Sequence, residues 1–171
     1  MASLTVDVRS AESRDTPGVA AVHDAAWQLA YAGIIPALHL SRMVQRRGPK
    51  WWAEAISRAR GGIMVLEVGD TLAGYATMGS ARRVGQHSFD GEIYELYVRP
   101  EYQGLGFGTR LFKAARDRLI ANGRPRTLVW ALTANEPALA FYRRRGGKAV
   151  VKDQERFGAT VLPKVGFGFG V

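Results

Sequence analysis

The chain contains no cysteine, and none of its apolar runs is long. Without cysteine there can be no disulfide framework, no thiolate metal site and no covalent cysteine intermediate. No apolar segment approaches the roughly 20 residues that a bilayer-spanning helix needs, and the first residues lack the basic start and long apolar region of a signal peptide. These absences favour a cytoplasmic protein and argue against a membrane as its partner.

Acidic residues are also scarce relative to basic ones: 15 Asp and Glu stand against 24 Lys and Arg, which gives a formal net charge of +9. The basic residues are scattered, and their longest run is the arginine triplet at 143–145. Scattered charge is typical of a solvated cationic surface, and a basic face around a phosphate-bearing ligand is the next interpretation. Nucleic-acid binding is disfavoured, because no ribbon of interleaved aromatic and basic residues is present.

Length and composition predict one globular domain over residues 1–171, with 47% apolar residues and no internal repeat. In the first half, the patterns predict a strand at 4–9, a helix with Thr16 as cap that ends near Tyr31, a helical stretch at 38–60 in one or two pieces, and a hairpin of 63–68 with 72–78. In the second half, they predict strands at 93–98 and 127–132, each followed by a helix, and a closing hairpin of 148–154 with 163–169.

The glycine loop, residues 103–108, places a glycine at every second position between the strand at 93–98 and a helix. The apolar positions of that helix fall on one face: Leu111, Phe112, Ala115 and Leu119. A helix start offers unpartnered N–H groups and partial positive charge, and glycine lets the main chain approach a diphosphate closely. The alternative is an ordinary glycine-rich turn. No Gly-Lys-Ser/Thr follows, and the spacing is not Gly-x-Gly-x-x-Gly, so Walker-type and dinucleotide sites are disfavoured.

Two blocks of sequence resemble the GCN5-related N-acetyltransferase (GNAT) superfamily. Residues 103–108, Gln-Gly-Leu-Gly-Phe-Gly, are similar to its Gln/Arg-x-x-Gly-x-Gly/Ala signature. Residues 135–146 contain Asn, Ala, Phe-Tyr and Gly at the spacing of its Asn-x-x-Ala-x-x-Phe-Tyr-x-x-x-Gly motif. The blocks come in the family's order with a strand between them, and the resemblance covers most of the chain.

The resemblance implies an α/β (α+β) fold in the order β-α-α-β-β-β-α-β-α-β-β. About seven strands would form a mixed sheet flanked by about four helices. This sheet splays where the glycine-loop strand and the next strand part, and acetyl-coenzyme A lies in the V-shaped opening. Splaying would leave the amides of Leu96 and Val98 without a neighbouring strand, and the amides of the pantetheine chain would pair with them.

Acetyl-coenzyme A is therefore the expected cosubstrate, and no metal is expected. The residues that the resemblance assigns to its binding are Leu96, Tyr97, Val98, Gln103, Gly104, Leu105, Gly106, Phe107, Gly108, Thr109, Asn135 and Tyr142. The Leu96 N–H is also the expected donor to the oxyanion of the reaction.

Tyr142 occupies the position of the family's catalytic tyrosine, where the hydroxyl approaches the coenzyme sulfur. An unperturbed tyrosine, with a pKa of about 10, is a weaker acid than a thiol at about 8.5. The tyrosine can act as the acid if the proton moves as sulfur becomes anionic, or if cations such as those at 143–145 lower its pKa. A core tyrosine beside Phe141 is the alternative.

Two glutamates compete for the role of the base that takes the proton of an amine. Glu92 lies eleven residues before Gln103, at the position of the base in the histone-type branch of the family, and Glu95 lies three residues further along. In a regular strand the two point to opposite faces, although a bulge would change this. The resemblance favours Glu92, and a surface or salt-bridged carboxylate is the alternative for each.

The residues of the acceptor site are the hardest to identify from the sequence. Trp27 and Tyr31 fall in the helices that edge the acceptor pocket in the family, and core packing is the alternative for both. The three histidines lack the spacing of metal ligands, and His87 is a candidate proton relay. Gly147 departs from the family pattern, which has an aromatic residue after the motif glycine.

The predicted function is an N-acetyltransferase that passes acetyl directly from acetyl-coenzyme A to a primary amine of a small molecule or peptide, through a ternary complex. One alternative is an acyltransferase that uses another acyl-coenzyme A or an oxygen acceptor. Another is a non-catalytic acyl-coenzyme A sensor on the same fold. Homodimers are frequent in the family, and the resemblance extends that expectation to this chain.

Overall fold

The computed structural model describes residues 3–82 and 88–170. The strands are β1 (Val6–Ser10), β2 (Ile63–Val68), β3 (Thr71–Ser80), β4 (Gly91–Val98), β5 (Thr127–Leu132), β6 (Lys148–Phe157) and β7 (Thr160–Phe169). The helices are α1 (Thr16–Tyr31), α2 (Ala37–Arg46), α3 (Pro49–Arg58), α4 (Phe107–Ala121) and α5 (Glu136–Arg144). Among the described residues, no helix has both the length and the apolar character needed to cross a bilayer.

The seven strands form one mixed sheet in the order β1-β2-β3-β4-β5-β7-β6. All neighbours are antiparallel except β4 and β5, which are parallel and pair only from Gly91–Ile93 to Thr127–Val129. Beyond that point the two strands separate. Strand β4 continues to Val98 and β5 continues to Leu132, but they no longer pair with each other. The predicted fold class and its splayed sheet are confirmed.

The core lies on both faces of the sheet. On one face, α4 buries the four residues of its predicted apolar stripe: Leu111, Phe112, Ala115 and Leu119. On the other face, α1 and α3 pack Val19, Val22 and Trp52 against Tyr75 of β3. Burial of these apolar surfaces stabilises the sheet by roughly 1.5–3 kcal/mol for each large side chain.

The helical region before β2 differs from the prediction in its details. The stretch at 38–60 forms two helices, which makes five α-helices rather than about four, because the chain breaks at Arg47 and Gly48. The start of α1 also differs: a short 3₁₀ turn, Ser13–Asp15, runs directly into it, and Thr16 is already helical. Thr16 is therefore not the cap, and its hydroxyl donates to the Ser13 carbonyl at 2.9 Å.

The closing hairpin is longer than predicted. Strands β6 and β7 pair as far as Phe157 and Thr160, so most of the expected polar loop between them is part of the ladder. The turn of this hairpin reaches α2, where Phe157 packs 6.0 Å from the His39 ring. The hairpin thereby contacts α2, and its strand β6 forms one edge of the sheet.

Candidate active site

A cleft of about 650 Å³ opens where β4 and β5 separate. Residues of α1, β4, the glycine loop, the first turn of α4, β5 and α5 line it. Ten of the predicted coenzyme residues are among them: Leu96, Tyr97, Val98, Gln103, Gly104, Gly106, Gly108, Thr109, Asn135 and Tyr142.

The open edge of β4 presents main-chain donors to this cleft. The Arg99 N–H donates to the Ala73 carbonyl of β3 at 2.7 Å. Since N–H groups alternate in direction along a strand, those of Leu96 and Val98 point away from β3, toward the gap left by β5. These are the two amides that the predicted splay leaves without a strand partner.

The glycine loop brings the start of α4 to the same cleft. Gly104 and Gly106 have φ of +76° and +82°, in the left-handed region that residues with a Cβ rarely adopt. Gly106 is the N-cap of α4, and no side chain of the described residues caps this helix, so the N–H groups of its first turn remain open. The Gln103 side chain fixes the loop by donating to the Val98 carbonyl at 2.9 Å.

Two predicted coenzyme residues, Leu105 and Phe107, do not line the cleft. The Leu105 side chain is 64% exposed. The Phe107 ring packs against Tyr102, with 6.1 Å between the ring centroids. Both still belong to the glycine loop, so only their main chain can take part in binding an anion there.

Tyr142 lines the cleft from α5, which begins with the predicted cap: the Asn135 side chain accepts from the Ala138 N–H at 3.4 Å. Burial raises the pKa of Tyr142 above its ordinary value, and the charge of Arg145 lowers it by less. The idea that neighbouring cations lower this pKa overall is therefore wrong. The phenol keeps its proton at neutral pH and can serve as a donor to a sulfur atom.

Gly147 departs from the family pattern for a steric reason. A Cβ at this position would lie 2.6 Å from the Phe169 ring and 2.8 Å from the Tyr142 carbonyl oxygen. Phe169 of β7 therefore fills the space beside Tyr142, with 6.4 Å between the two ring centroids. An aromatic ring therefore packs next to Tyr142, but it belongs to β7 and not to position 147.

A bulge in β4 changes the expected placement of the two glutamates. The register pairs Thr77 with Glu95 but Met78 with Ile93, which leaves one extra residue on β4. Gly79 pairs with Glu92, and residues 77 and 79 of β3 point the same way, so Glu92 and Glu95 share a face of the sheet. The expectation of opposite faces is corrected by this bulge.

Only Glu95 of the two glutamates lines the cleft. Its carboxylate accepts from the Tyr75 hydroxyl at 2.6 Å and from the Arg47 guanidinium. Glu92 is fully buried outside the cleft lining, and its carboxylate accepts from the Arg82 main chain at 3.1 Å and from the Arg82 guanidinium. The position of Glu92 suits a structural ion pair, and that of Glu95 suits contact with an acceptor.

The two aromatic residues predicted for the acceptor site have different surroundings. Tyr31 lines the cleft, and its hydroxyl lies 2.5 Å from the Tyr97 hydroxyl. Trp27 lies behind this pair, with its ring centroid 6.0 Å from that of Tyr97 and 5.1 Å from the Arg47 guanidinium carbon. Tyr31 is therefore part of the cleft lining, whereas Trp27 packs against residues that line it.

The histidines take no part in the cleft as far as the described chain shows. His87, the candidate relay, lies outside the described residues. His23 is fully buried, with its ring 4.4 Å from that of Trp27, and burial lowers its pKa. Within residues 3–82 and 88–170, no cluster of histidine and acidic side chains has the form of a metal site.

Comparison with known proteins agrees with this geometry. Residues 22–147, well over half of the chain, match the profile of the Acetyltransferase (GNAT) family. The chain belongs to this family. As a GNAT acetyltransferase it is an acyltransferase enzyme, and its relatives include named N-acetyltransferases.

Two sequence relatives and one solved structure illustrate the similarity. The uncharacterized N-acetyltransferase YuaI of Bacillus subtilis is 29% identical over 96% of this chain and 92% of its own length. The L-methionine sulfoximine/L-methionine sulfone acetyltransferase of Pseudomonas paraeruginosa is 27% identical over 98% and 89%. The PaiA N-acetyltransferase of Thermoplasma acidophilum, in complex with coenzyme A, superimposes with a TM-score of 0.74 at 18% identity, over 94% of this chain and 98% of that one.

Two arginines of this GNAT protein were not identified as site residues from the sequence. Arg47 follows α2 and pairs with Glu95, and no local pattern announces this partnership across 48 positions. Arg145 lines the cleft and donates to the Thr109 hydroxyl in the first turn of α4. The arginine triplet was a visible signal for Arg145, but it did not indicate that Arg144 and Arg145 line the cleft while Arg143 does not.

Proposed function

We propose that this enzyme binds acetyl-coenzyme A in the cleft and transfers acetyl directly to a primary amine of a small molecule or peptide, without a metal. The whole chain, 1–171, serves as one acetyltransferase domain. The observation that carries the proposal is the pair of open amides, Leu96 and Val98, in a cleft that also contains an uncapped helix start and a tyrosine hydroxyl. Each of these features matches one part of an acyl-coenzyme A.

The coenzyme would lie along the open edge of β4. Its pantetheine amides would pair with the main chain at Leu96 and Val98, as an added strand does. Its diphosphate would accept from the open N–H groups around Gly106 and Gly108, where the helix end also favours negative charge. This orientation places the thioester near Tyr142.

Glu95 is the group proposed to take the proton of the acceptor amine. A free aliphatic ammonium has a pKa of about 10.4, so holding it neutral near pH 7 costs about 4–5 kcal/mol. Glu95 lines the cleft, and Tyr75 and Arg47 hold its carboxylate in place. Because Glu92 lies outside the cleft lining, the role favoured for it from the sequence passes to Glu95.

The transfer then proceeds in two bond changes. The neutral nitrogen attacks the thioester carbon, and the Leu96 N–H stabilises the resulting oxyanion, an interaction worth roughly 3–4 kcal/mol in other acyl transfers. The carbon–sulfur bond breaks as the carbonyl re-forms, and the Tyr142 hydroxyl donates its hydrogen bond, and finally its proton, to the leaving sulfur. The attacking nitrogen, which carries a positive charge after the attack, releases its second proton to solvent, and the Tyr142 oxygen regains a proton from solvent. The products are the acetylated amine and coenzyme A.

The acceptor proposed here is a small one with an apolar portion. On the α1 side, the cleft is lined by Ala26, Leu29, Ala30 and Ile34, which offer an apolar wall beside Glu95 and Tyr31. The Pseudomonas relative is named for acceptors of amino-acid size, which supports an acceptor of similar dimensions. An ammonium at Glu95 and an apolar group against this wall would together satisfy both surfaces.

Calorimetry and thiol detection test the proposal. We expect coenzyme A and acetyl-coenzyme A to bind with measurable heat, and free thiol to appear only when both acetyl-coenzyme A and an amine are supplied. A panel of amines, amino acids and short peptides, repeated with longer acyl chains and with alcohols, identifies the acceptor and acyl group. Absence of binding, or thiol release with alcohols but no amine, would contradict the proposal.

A further inference from the structure

Arg145, the first residue after α5, reaches across to the first turn of α4. Its Nη1 donates to the Phe141 carbonyl at 2.8 Å, and its Nη2 donates to the Thr109 hydroxyl. The guanidinium carbon lies 3.5 Å from the centroid of the Phe141 ring. Arg145 and Thr109 both line the cleft, so this cation lies beside the open N–H groups of α4.

The charge of Arg145 has no acidic partner within residues 3–82 and 88–170. Two other partly buried arginines do have one: Arg9 pairs with Asp15 at 2.7 Å, and Arg47 pairs with Glu95. Burial and the nearby charge of Arg144 both lower the pKa of Arg145 from its ordinary value. The surroundings therefore disfavour this cation as long as no anion is present.

The start of α4 adds to this imbalance. A helix N-terminus carries partial positive charge, so it repels a guanidinium placed beside it. A guanidinium has five N–H donors, and Arg145 uses two of them on the described chain, while its buried Nε has no partner. An anion at the start of α4 would relieve the repulsion and accept from the unused donors. The family motif leaves position 145 variable, so the motif itself does not require this arginine.

We propose that Arg145 is a phosphate ligand that makes this enzyme favour coenzyme A over ligands without a phosphate, an inference that rests on the proposed function. Phe141 and Thr109 hold the guanidinium at the helix start, where its free N–H groups donate to a phosphate of coenzyme A. The diphosphate and the 3′-phosphate present the same oxyanion chemistry, and either can be the partner. Charge-assisted hydrogen bonds of this kind are the strong ones in proteins.

The test compares three variants by calorimetry: Arg145→Gln, Arg145→Lys and, as the matched control, Arg143→Gln. Arg143 belongs to the same helix end, is exposed, and does not line the cleft. The ligands are coenzyme A, 3′-dephospho-coenzyme A and pantetheine. Arg145→Gln should raise the Kd of coenzyme A by about 10- to 100-fold and leave that of pantetheine unchanged. Arg145→Lys should have a smaller effect, and Arg143→Gln none.

The ligand series identifies the phosphate. If Arg145→Gln weakens coenzyme A and dephospho-coenzyme A equally, the partner is the diphosphate, and if it weakens coenzyme A alone, the partner is the 3′-phosphate. Wild-type affinity of Arg145→Gln for coenzyme A would overturn the inference, as would an equal loss for pantetheine, which has no phosphate. If the Arg145→Gln variant does not unfold cooperatively, the comparison of Arg145→Lys with Arg143→Lys replaces it. The same ligand series and the same outcomes then decide the inference. A wild-type enzyme that binds no coenzyme at all would instead remove the proposed function.

Discussion

The half of the cleft proposed to bind the coenzyme and the half proposed to bind the acceptor, called here the coenzyme half and the acceptor half, are built in different ways. The coenzyme half comes mainly from one continuous segment, 96–109, and offers main-chain donors whose direction is set by a strand edge and a helix start. The acceptor half comes from side chains that lie far apart in the sequence, with Arg47, Tyr75 and Glu95 joined in one network. Main-chain geometry follows from local residue types, whereas a network of side chains depends on the packing of whole elements.

The two halves also differ in what holds them together. The glycine loop depends on a few backbone conformations and one side-chain bond, from Gln103 to the Val98 carbonyl. The acceptor half depends on buried polar contacts, and a buried polar group that loses its partner costs roughly 1–3 kcal/mol. Substitutions in the coenzyme half should therefore change binding or catalysis, and those in the acceptor half should change amine turnover and stability together.

The largest expected effect is that of Tyr142→Phe. The substitution keeps the ring that packs 5.8 Å from Phe167 and removes only the hydroxyl. We expect kcat to fall by about 10²- to 10⁴-fold, because general acids contribute in that range, with little change in the Kd of coenzyme A. Steady-state thiol release measures this. Tyr102→Phe, outside the cleft lining, is the control, and an unchanged kcat in Tyr142→Phe would remove the acid role.

The next effect separates the two glutamates. Glu95→Gln should lower kcat/KM for the amine by about 10²-fold while the Kd of coenzyme A stays the same, because only the acceptor half is altered. Glu92→Gln should instead lower the free energy of unfolding by about 1–3 kcal/mol, because it weakens the bonds from Arg82 to a buried carboxylate. Turnover per folded molecule should stay constant in Glu92→Gln. The reverse pattern would return the base to Glu92.

A smaller effect compares two glycines with the same backbone conformation, one in the coenzyme half and one outside the cleft lining. Gly106 has φ of +82°, and Gly33, in the loop after α1, has φ of +77°; neither has an atom within 4 Å of an added Cβ. Alanine at either position should cost about 1–2 kcal/mol of stability, since the left-handed region is unfavourable for a residue with a Cβ.

Only Gly106→Ala should also raise the Kd of coenzyme A. If the glycine loop changes conformation to avoid a strain of about 1–2 kcal/mol, restoring the binding conformation costs that free energy and raises the Kd by about tenfold. Thermal unfolding and calorimetry on both variants measure the two quantities. Equal coenzyme affinity in Gly106→Ala and Gly33→Ala would mean that the conformation of the glycine loop does not govern binding.

The smallest effect concerns the pH dependence of stability through His23, which packs behind the acceptor half. Burial lowers the pKa of His23, although Asp24 and Glu95 oppose this, so the unfolded chain binds the proton more readily than the folded chain. Stability should therefore be full above pH of about 6.5, the unfolded pKa, and fall as the pH drops below it, by at most about 1.4 kcal/mol per pH unit.

Denaturant unfolding between pH 7.5 and pH 5.5 measures this slope. His23→Gln should flatten it, while His39→Gln, at a residue with no comparable burial, should leave it as in the wild type. A wild-type stability that does not change over this range would show that His23 is accessible to protons in the folded state.

Sequence reasoning was most successful where neighbouring residues decide the structure. The apolar stripe of α4, from Leu111 to Leu119, and the glycine turn at 103–108 follow from spacing over a few positions. The start of α1 was placed one residue late because Asp15 and a 3₁₀ turn precede it, and their contact with Arg9 is not a local signal. The stretch at 38–60 was predicted as one or two helical pieces, and it forms two helices, α2 and α3, with Arg47 and Gly48 between them.

The functional roles of side chains were harder to predict from the sequence. The bulge in β4 reversed the relation between Glu92 and Glu95, because register is settled by the neighbouring strand rather than by residues 92–95 themselves. The burial that raises the pKa of Tyr142 is likewise a property of the assembled core. The reason for a glycine at position 147 is also tertiary, because Phe169 of β7 occupies the space that a side chain there would need.

The sequence by itself determined the order of the strands, the glycine turn and the family, since local spacing and motif residues carry that information. Only the tertiary structure decided that Glu95 rather than Glu92 lines the cleft, that Arg47 holds it, and that Arg145 lies beside the start of α4 without an acidic partner among the described residues. The physical reason is that these relations join side chains 36 to 48 positions apart, whose distances are set by packing.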